Sequence, residues 1–366
     1  HTLPTWTLLV HCPDLHINTD PLMSTMLKPE PIYDDIEKID AHVHQNTTRP
    51  ALLEEGRQEG FSLVTINTQV PEFPDTDQQR EIALACREQA PGTLNFIASF
   101  STEGWGDSDW AEKALDQIQK GIAAGAVAVK IWKDIGMDLR DVDGSFVMAD
   151  HPALDPIYEY LVREEIPLIA HLGEPKNCWL PLEEMTVTSD RDYFTNNPRY
   201  HMYLHKEYPS YTQQLEARDR MLARHPKLTF ISAHLASLEW SVDEQAAWLD
   251  AHPGAGVDLA ERVCHLQYQA ATHYSKVRDF VETYQDRIIY GSDQIEDGSM
   301  ESDELRQTVR TKWRNEFQFF AGSEEQTAWN VDRPFRGLGL DKKILEKLFR
   351  SNAIHYYPRI TDHLQD

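Results

Sequence analysis

Cysteine is scarce in this 366-residue chain, and the four present, Cys12, Cys86, Cys178 and Cys264, lie far apart with no CxxC spacing. That pattern excludes a disulfide-stapled scaffold and a zinc-finger site, and it predicts a reducing, cytoplasmic compartment. Long apolar runs are also missing: none reaches the ~18 residues of a transmembrane helix. The stretch Leu8-Leu9-Val10-His11-Cys12 has the outline of a lipoprotein cleavage box. His11 stands where a small residue is needed, however, and no Lys or Arg precedes it. Basic residues are few, 35 against 60 acidic ones, for a formal charge of −25. So acidic a chain lacks the basic face of a nucleic-acid-binding protein and the polybasic cluster of a membrane-surface anchor. There is no internal repeat and no low-complexity tract.

What is present describes a globular protein: 41% of residues are hydrophobic and 26% charged. The length allows two ordinary domains or one large α/β domain. Residues 1–30 show no clear period and read as an arm outside the core, and 361–366 read as a tail. Between them, short runs rich in Val and Ile alternate with helical patterns. The runs are 36–42, 61–67, 94–100, 126–132, 166–171, 228–234, a weaker 256–260, and 287–293. Polar residues appear at their C-terminal ends, as in strands buried on both faces of a parallel sheet. Helical patterns fill 78–89, 109–123, 152–164, 213–225, 241–250, 276–284 and 340–350. Eight strands with intervening helices predict one (β/α)8 barrel, the TIM barrel, over 31–360. An open doubly wound sheet is the alternative, weakened because no GxGxxG follows the first strand.

Two connections are long, 172–212 after the fifth strand and 294–339 after the eighth. Both leave the C-terminal ends of strands, where a barrel builds its active site. The first holds Trp179, Tyr193, Phe194, Tyr200, Tyr203, Tyr208 and Tyr211. It reads as a wall or lid over a pocket, or else as a contact between copies in a homo-oligomer. The acidic run 296–304 reads as a solvated loop or a helix start.

The chain carries 16 histidines, an excess to follow because imidazole is the commonest metal ligand. In Asp40-Ala-His42-Val-His44, strand alternation turns both imidazoles to one face, where they can hold a divalent ion. Asp40 shares that phase and is placed to orient a ligand imidazole. Further along, His171 ends the fifth run, His234 the sixth and Asp293 the eighth, and Lys130 stands near the end of the fourth. A charged group at the end of an apolar strand is costly unless paired. That so many strands deliver a metal-competent or basic group to one rim is hard to explain by core packing. Glu174, Lys176 and Trp179 after the fifth strand, Trp132 after the fourth and Arg262 after the seventh are candidate substrate contacts. Arg262 suits an anionic group.

These residues resemble the amidohydrolase superfamily, in the branch of metal-dependent TIM-barrel hydrolases and decarboxylases that includes aminocarboxymuconate-semialdehyde decarboxylase. The carriers are Asp40-Ala-His42-Val-His44, Val129-Lys130-Ile131, Ala170-His171-Leu172-Gly173, Ala233-His234, Gly291-Ser292-Asp293 and Leu348-Phe349-Arg350-Ser351-Asn352-Ala353, spread over most of the chain. The resemblance implies one zinc ion bound by His42, His44, His171 and Asp293. It gives Asp293 the further role of taking a proton from metal-bound water, and His234 that of polarising or protonating substrate. Lys130 implies a second metal if it is carboxylated. The implied activity is hydrolysis of an amide, ester or lactone in a small molecule. The alternative is non-oxidative decarboxylation of an aromatic or enoic acid. Zinc in an open site lowers the pKa of bound water to about 7, which suits the first reading.

Overall fold

The computed structural model describes residues 31–363. The sequence readings for 1–30 and 364–366 lie outside it. Eight parallel strands form the barrel: β1 (Lys38–Gln45), β2 (Phe61–Ile66), β3 (Leu94–Ile97), β4 (Val129–Ile131), β5 (Leu168–Ala170), β6 (Phe230–Ser232), β7 (Gly256–Asp258) and β8 (Ile288–Ile289). They pair in two arcs, β3-β2-β1 and β4-β5-β6-β7-β8. A bridge between Ala98 and Val129 joins β3 to β4. The ring closes where the Ala41 N–H donates to the Tyr290 carbonyl at 3.0 Å and the Asp293 N–H to that of His42 at 2.7 Å. A further short strand, β9 (Gln294–Glu296), continues alongside β1.

Apart from β1, the regular strands are shorter than the apolar runs that predict them. His171, His234 and Asp293 sit in the turns just past β5, β6 and β8, while His42 and His44 lie on β1, Lys130 on β4 and Asp258 on β7. Helices cover the outside. Asp75, Ser210, Ser241 and Asp341 cap four of them by accepting from backbone N–H groups three residues on, which satisfies donors that have no intrahelical partner. Inside the barrel, Ile39, Ala41, Val64, Ile66, Ile169, Ile231 and Ile289 pack with Tyr356, Tyr357 and Ile360 from the C-terminal segment. Among the described residues, no helix is long and apolar enough to cross a membrane.

β1 carries an irregularity that decides the site. Against β2 it advances from Asp40 to Val43 while its partner advances only from Leu63 to Thr65, which is a β-bulge. The extra residue breaks strict alternation. Ile39 and Ala41 face the barrel interior and Val43 the outer layer, so His42 and His44 turn inward while Asp40 faces out. The expectation that Asp40 shares the histidine phase is therefore corrected. Asp40 accepts from the His42 N–H at 3.2 Å, the Ser292 N–H at 2.9 Å and Trp313 Nε1 at 2.8 Å.

The long segment after β8 is no simple loop. It holds β9, a 20-residue helix (Ser302–Ala321) and a hairpin of β10 (Glu325–Ala328) and β11 (Val331–Arg336). Leu305, Val309, Trp313 and Phe317 bury one stripe of that helix. On a neighbouring stripe, Arg306, Arg310 and Arg314 pair with Glu54, Glu55 and Glu59 on and beside the helix Ala51–Gln58. The segment after β5 folds into short 3-10 turns and a helix (Thr188–Asn196) around Cys178, Met185, Phe194, Tyr200 and Met202.

Trp313→Phe should keep the stacking on Phe61 but strand the buried Asp40 carboxylate without one donor. The expected loss is about 1–3 kcal/mol in urea unfolding.

Candidate metal centre

The site stands at the C-terminal ends of the strands. From β7, the Asp258 carboxylate uses both oxygens. Oδ2 accepts from His42 Nδ1 at 2.7 Å, and Oδ1 accepts from the His234 N–H at 2.7 Å. His44 Nδ1 faces the Ile66 carbonyl at 2.9 Å, and His234 Nδ1 faces that of Ala260 at 2.9 Å. Each of these partners only accepts, so each Nδ1 carries the proton and each Nε2 presents a lone pair.

Two of those lone pairs converge. His42 Nε2 lies 3.3 Å and His44 Nε2 3.2 Å from the same atom, Asp293 Oδ1. The three donor atoms lie within 4.8 Å of one another. Two imidazole lone pairs facing a carboxylate oxygen repel it unless a proton or a cation lies between them. The donor set therefore fits a divalent metal, with Asp258 and the Ile66 carbonyl orienting the ligand imidazoles from behind. Burial would raise the Asp293 carboxyl; positive charge shared with His42, His44 and His234 would hold it well below its usual range, the direction in which a bound cation also acts. For Asp258, burial likewise pushes up, but the His42 contact holds it low.

The backbone is strained where these groups emerge. Asp293 has φ +62, and His234, Leu235, Ala236 and Ser237 all have φ between +54 and +60, a region that disfavours L-residues. The His234 turn is held by Asp258, by Arg218 Nη1 donating to the Ala236 carbonyl at 2.6 Å, and by Ser237 Oγ donating to that of Leu172 at 3.0 Å. Gly291 has a separate reason: a Cβ there would lie 2.6 Å from His42 Cβ.

Of the other predicted residues, His171 stands outside the His42–His44–Asp293 group. Its ring lies 4.1 Å from that of His234, and its Nε2 is buried with no hydrogen-bond partner. Burial, then His234, pushes its pKa well below the usual value. His234 is pushed down to about 3, mainly by burial. Lys130 is buried on β4, and burial brings it down to about 8 against the opposing pull of Asp258 and Asp293. Glu174 is buried and paired with Lys133. The Lys176 ammonium lies 3.3 Å from the centre of the Trp240 ring. Trp179 packs on Tyr211 with ring centroids 5.5 Å apart, and Trp132 is buried with Val70 and Phe73. Arg262 lies past β7, half-buried. Sequence reasoning missed Asp258. Its signal was the one that found Asp293, a carboxylate at the end of an apolar strand, but the seventh run is the weakest.

Fold and site together define a TIM barrel whose C-terminal rim carries a His–His–Asp cluster able to hold a divalent metal. The family model described as amidohydrolase matches residues 39–359, and the chain belongs to that family, whose members are metal-dependent enzymes. No curated protein matches the chain in sequence. Among solved structures, it is similar to an uncharacterized TIM-barrel protein from Bordetella bronchiseptica, with TM-score 0.50 and 15% identity, covering 88% of this chain and 99% of that one. At that identity the likeness bears on the fold alone. A dihydroorotase from Saccharomyces cerevisiae gives TM-score 0.49 at 12% identity, covering 89% and 85%. A 5-carboxyvanillate decarboxylase from Sphingomonas paucimobilis gives 0.48 at 10%, covering 88% and 99%.

His234 falls from 6.5 in an unfolded chain to about 3 in the folded one. Between those values the unfolded chain binds a proton that folded His234 refuses, so stability drops as pH is lowered. Chelator-treated protein should lose up to ~1.4 kcal/mol per pH unit in this window for each such histidine. His234→Asn should flatten the slope by about one proton. Urea unfolding at successive pH values measures it, and an unchanged slope would count against a neutral buried imidazole.

Proposed function

We propose that the protein is a metal-dependent hydrolase that cleaves an amide, ester or lactone bond in a small molecule. The observation that carries this reading is the convergence of His42 Nε2 and His44 Nε2 on Asp293 Oδ1. These three residues would hold one zinc ion, and the unpartnered Nε2 of His171 is the next donor available to it. When bound, the metal supplies Lewis acidity that polarises a carbonyl and makes water acidic enough to attack near neutral pH.

The protein's own groups would do the rest. Asp293, ionised beside the bound cation, would take a proton from the attacking water. The His234 Nδ1–H is committed to the Ala260 carbonyl, so its Nε2 enters the site as an acceptor. It orients the water and, once protonated, can pass that proton to the leaving group. Lys130 places a buried positive charge where a carbonyl oxygen gathers negative charge. With its pKa near 8 it also has free amine at neutral pH, the form that carboxylation and a second metal would need.

Decarboxylation of an aromatic or enoic acid is the second reading, favoured by the same buried cation, which suits a carboxylate substrate. The separating experiment is metal analysis followed by a panel of lactones, amides, esters and carboxylic acids, reading acid release and CO2 separately. The hydrolase reading expects about one metal per chain, acid release and no CO2. Asp293→Asn should lower kcat by about 10²-fold or more, and His42→Ala should lose the metal. Full turnover by metal-stripped protein would sink the proposal.

A further inference from the structure

The inward face of β1 continues past His44. Beyond the bulge, β1 runs against β9 in unbroken register, with Val43 beside Gln294, His44 beside Ile295 and Gln45 beside Glu296. The Asn46 N–H extends this ladder by donating to the Glu296 carbonyl at 2.8 Å. With no second bulge the side chains alternate, so Asn46 shares the face of His44. It stands two residues further out toward the rim, roughly 6.6 Å along the strand.

Asn46 is 5% exposed, and its Nδ2 is buried with no hydrogen-bond partner among the described residues. A buried amide nitrogen in that state is costly until something accepts from it. The polar groups next to it on the strands are committed on the opposite face. Gln45 Nε2 donates to the Thr47 carbonyl at 2.7 Å and to that of Arg49 at 3.0 Å. Glu296, beside Gln45, accepts from Thr47 Oγ1 at 3.1 Å and from the Gly298 N–H at 2.9 Å. The face that Asn46 shares is otherwise apolar above the histidines. Phe73 packs on the His44 ring with centroids 5.3 Å apart, and Val70, Trp132 and Ile295 pack with Phe73. An apolar wall with one placed donor is how small-molecule sites fix the orientation of a ligand.

We propose that Asn46 binds substrate, its Nδ2 donating to an uncharged oxygen other than that of the carbonyl under attack. The attacked carbonyl belongs at the His42–His44–Asp293 cluster, one pleat deeper, so the oxygen that meets Asn46 is a second one. An uncharged oxygen suits the place, because a carboxylate against this wall would be desolvated with only a neutral amide to face it. The site thus takes small molecules with two oxygen functions a few bonds apart, a dicarbonyl or a hydroxylated amide or lactone. This rests on the reading of the strand ends as the active site.

The test is a saturation-transfer NMR titration of the full chain, as purified and with added zinc. The probes are glutarimide and δ-valerolactam, rings of equal size that differ by one carbonyl oxygen. Glutarimide should bind about three- to tenfold tighter, which is the worth of one neutral hydrogen bond. Asn46→Leu, close in size but without the donor, should abolish that preference and leave δ-valerolactam binding unchanged. Should the Leu variant be unfolded by circular dichroism, Asn46→Asp decides, since it keeps the shape, loses the donor and should lose the preference too. Equal affinity of the wild type for the two probes, or a preference retained in a folded variant, would overturn the proposal. The readout is a ratio of two affinities in one protein, and a missing metal weakens both probes together. Failure here therefore leaves the hydrolase reading to its own metal and Asp293→Asn measurements.

Discussion

A single buried carboxylate, Asp258, sets the geometry of the site. One oxygen holds the His42 ring from β1, and the other holds the backbone where β6 turns into His234. Three strand ends are thereby tied to one group. The ionised form is maintained because the charge it offers is used twice: the His42 contact and the hydrogen bonds outweigh the cost of burial. Without that carboxylate, the His42 tautomer would be undetermined, and the left-handed turn at His234 would lose the anchor at its first residue. The metal-facing nitrogens follow from what each Nδ1 is bonded to.

The bulge in β1 is the second requirement. In an unbroken strand, Asp40, His42 and His44 would face one way, and Ile39, Ala41 and Val43 the other. One extra residue separates these sets. Ile39 and Ala41 keep the barrel core filled below, and His42 and His44 enter the same interior one layer above. Asp40 is left outside, where it accepts from Trp313 of the helix that follows β9 and from the Ser292 N–H. It thus joins the outer layer to the β8 end that carries Asp293, a structural role next to the chemical one.

The barrel was legible because its strands are largely apolar on both faces and most of their metal-competent groups appear near their C-terminal ends. His42, His44, His234 and Asp293 all follow from that contrast. Two kinds of information were hidden. Register was one: alternation assigns faces only until a bulge shifts the phase, and nothing in Asp40-Ala41-His42 announces the extra residue. Partnership was the other. Glu174 reads as a candidate substrate contact, yet it pairs with Lys133 across the ends of β4 and β5. The helix Ser302–Ala321 had a readable stripe at Leu305, Val309, Trp313 and Phe317. It was masked because its flanking arginines and acids resemble a solvated segment until Glu54, Glu55 and Glu59 are placed beside them.

Strain collects where the chemistry is. Outside Glu165, the described non-glycine residues with left-handed backbone are His234 to Ser237, Glu261 and Asp293, at the exits of β6, β7 and β8. Such conformations cost about 1 kcal/mol or more per residue, so each persists only where its surroundings over-determine it. At β6 the locks are Asp258, Arg218 and the Leu172 carbonyl. At β8 the lock is the Asp293 N–H on the His42 carbonyl, with Gly291 leaving room for His42 itself. The lock and the ligand are thus the same pair of residues: the bond that holds Asp293 in its strained conformation also fixes its distance from His42. A displacement of one of them is therefore passed to the other.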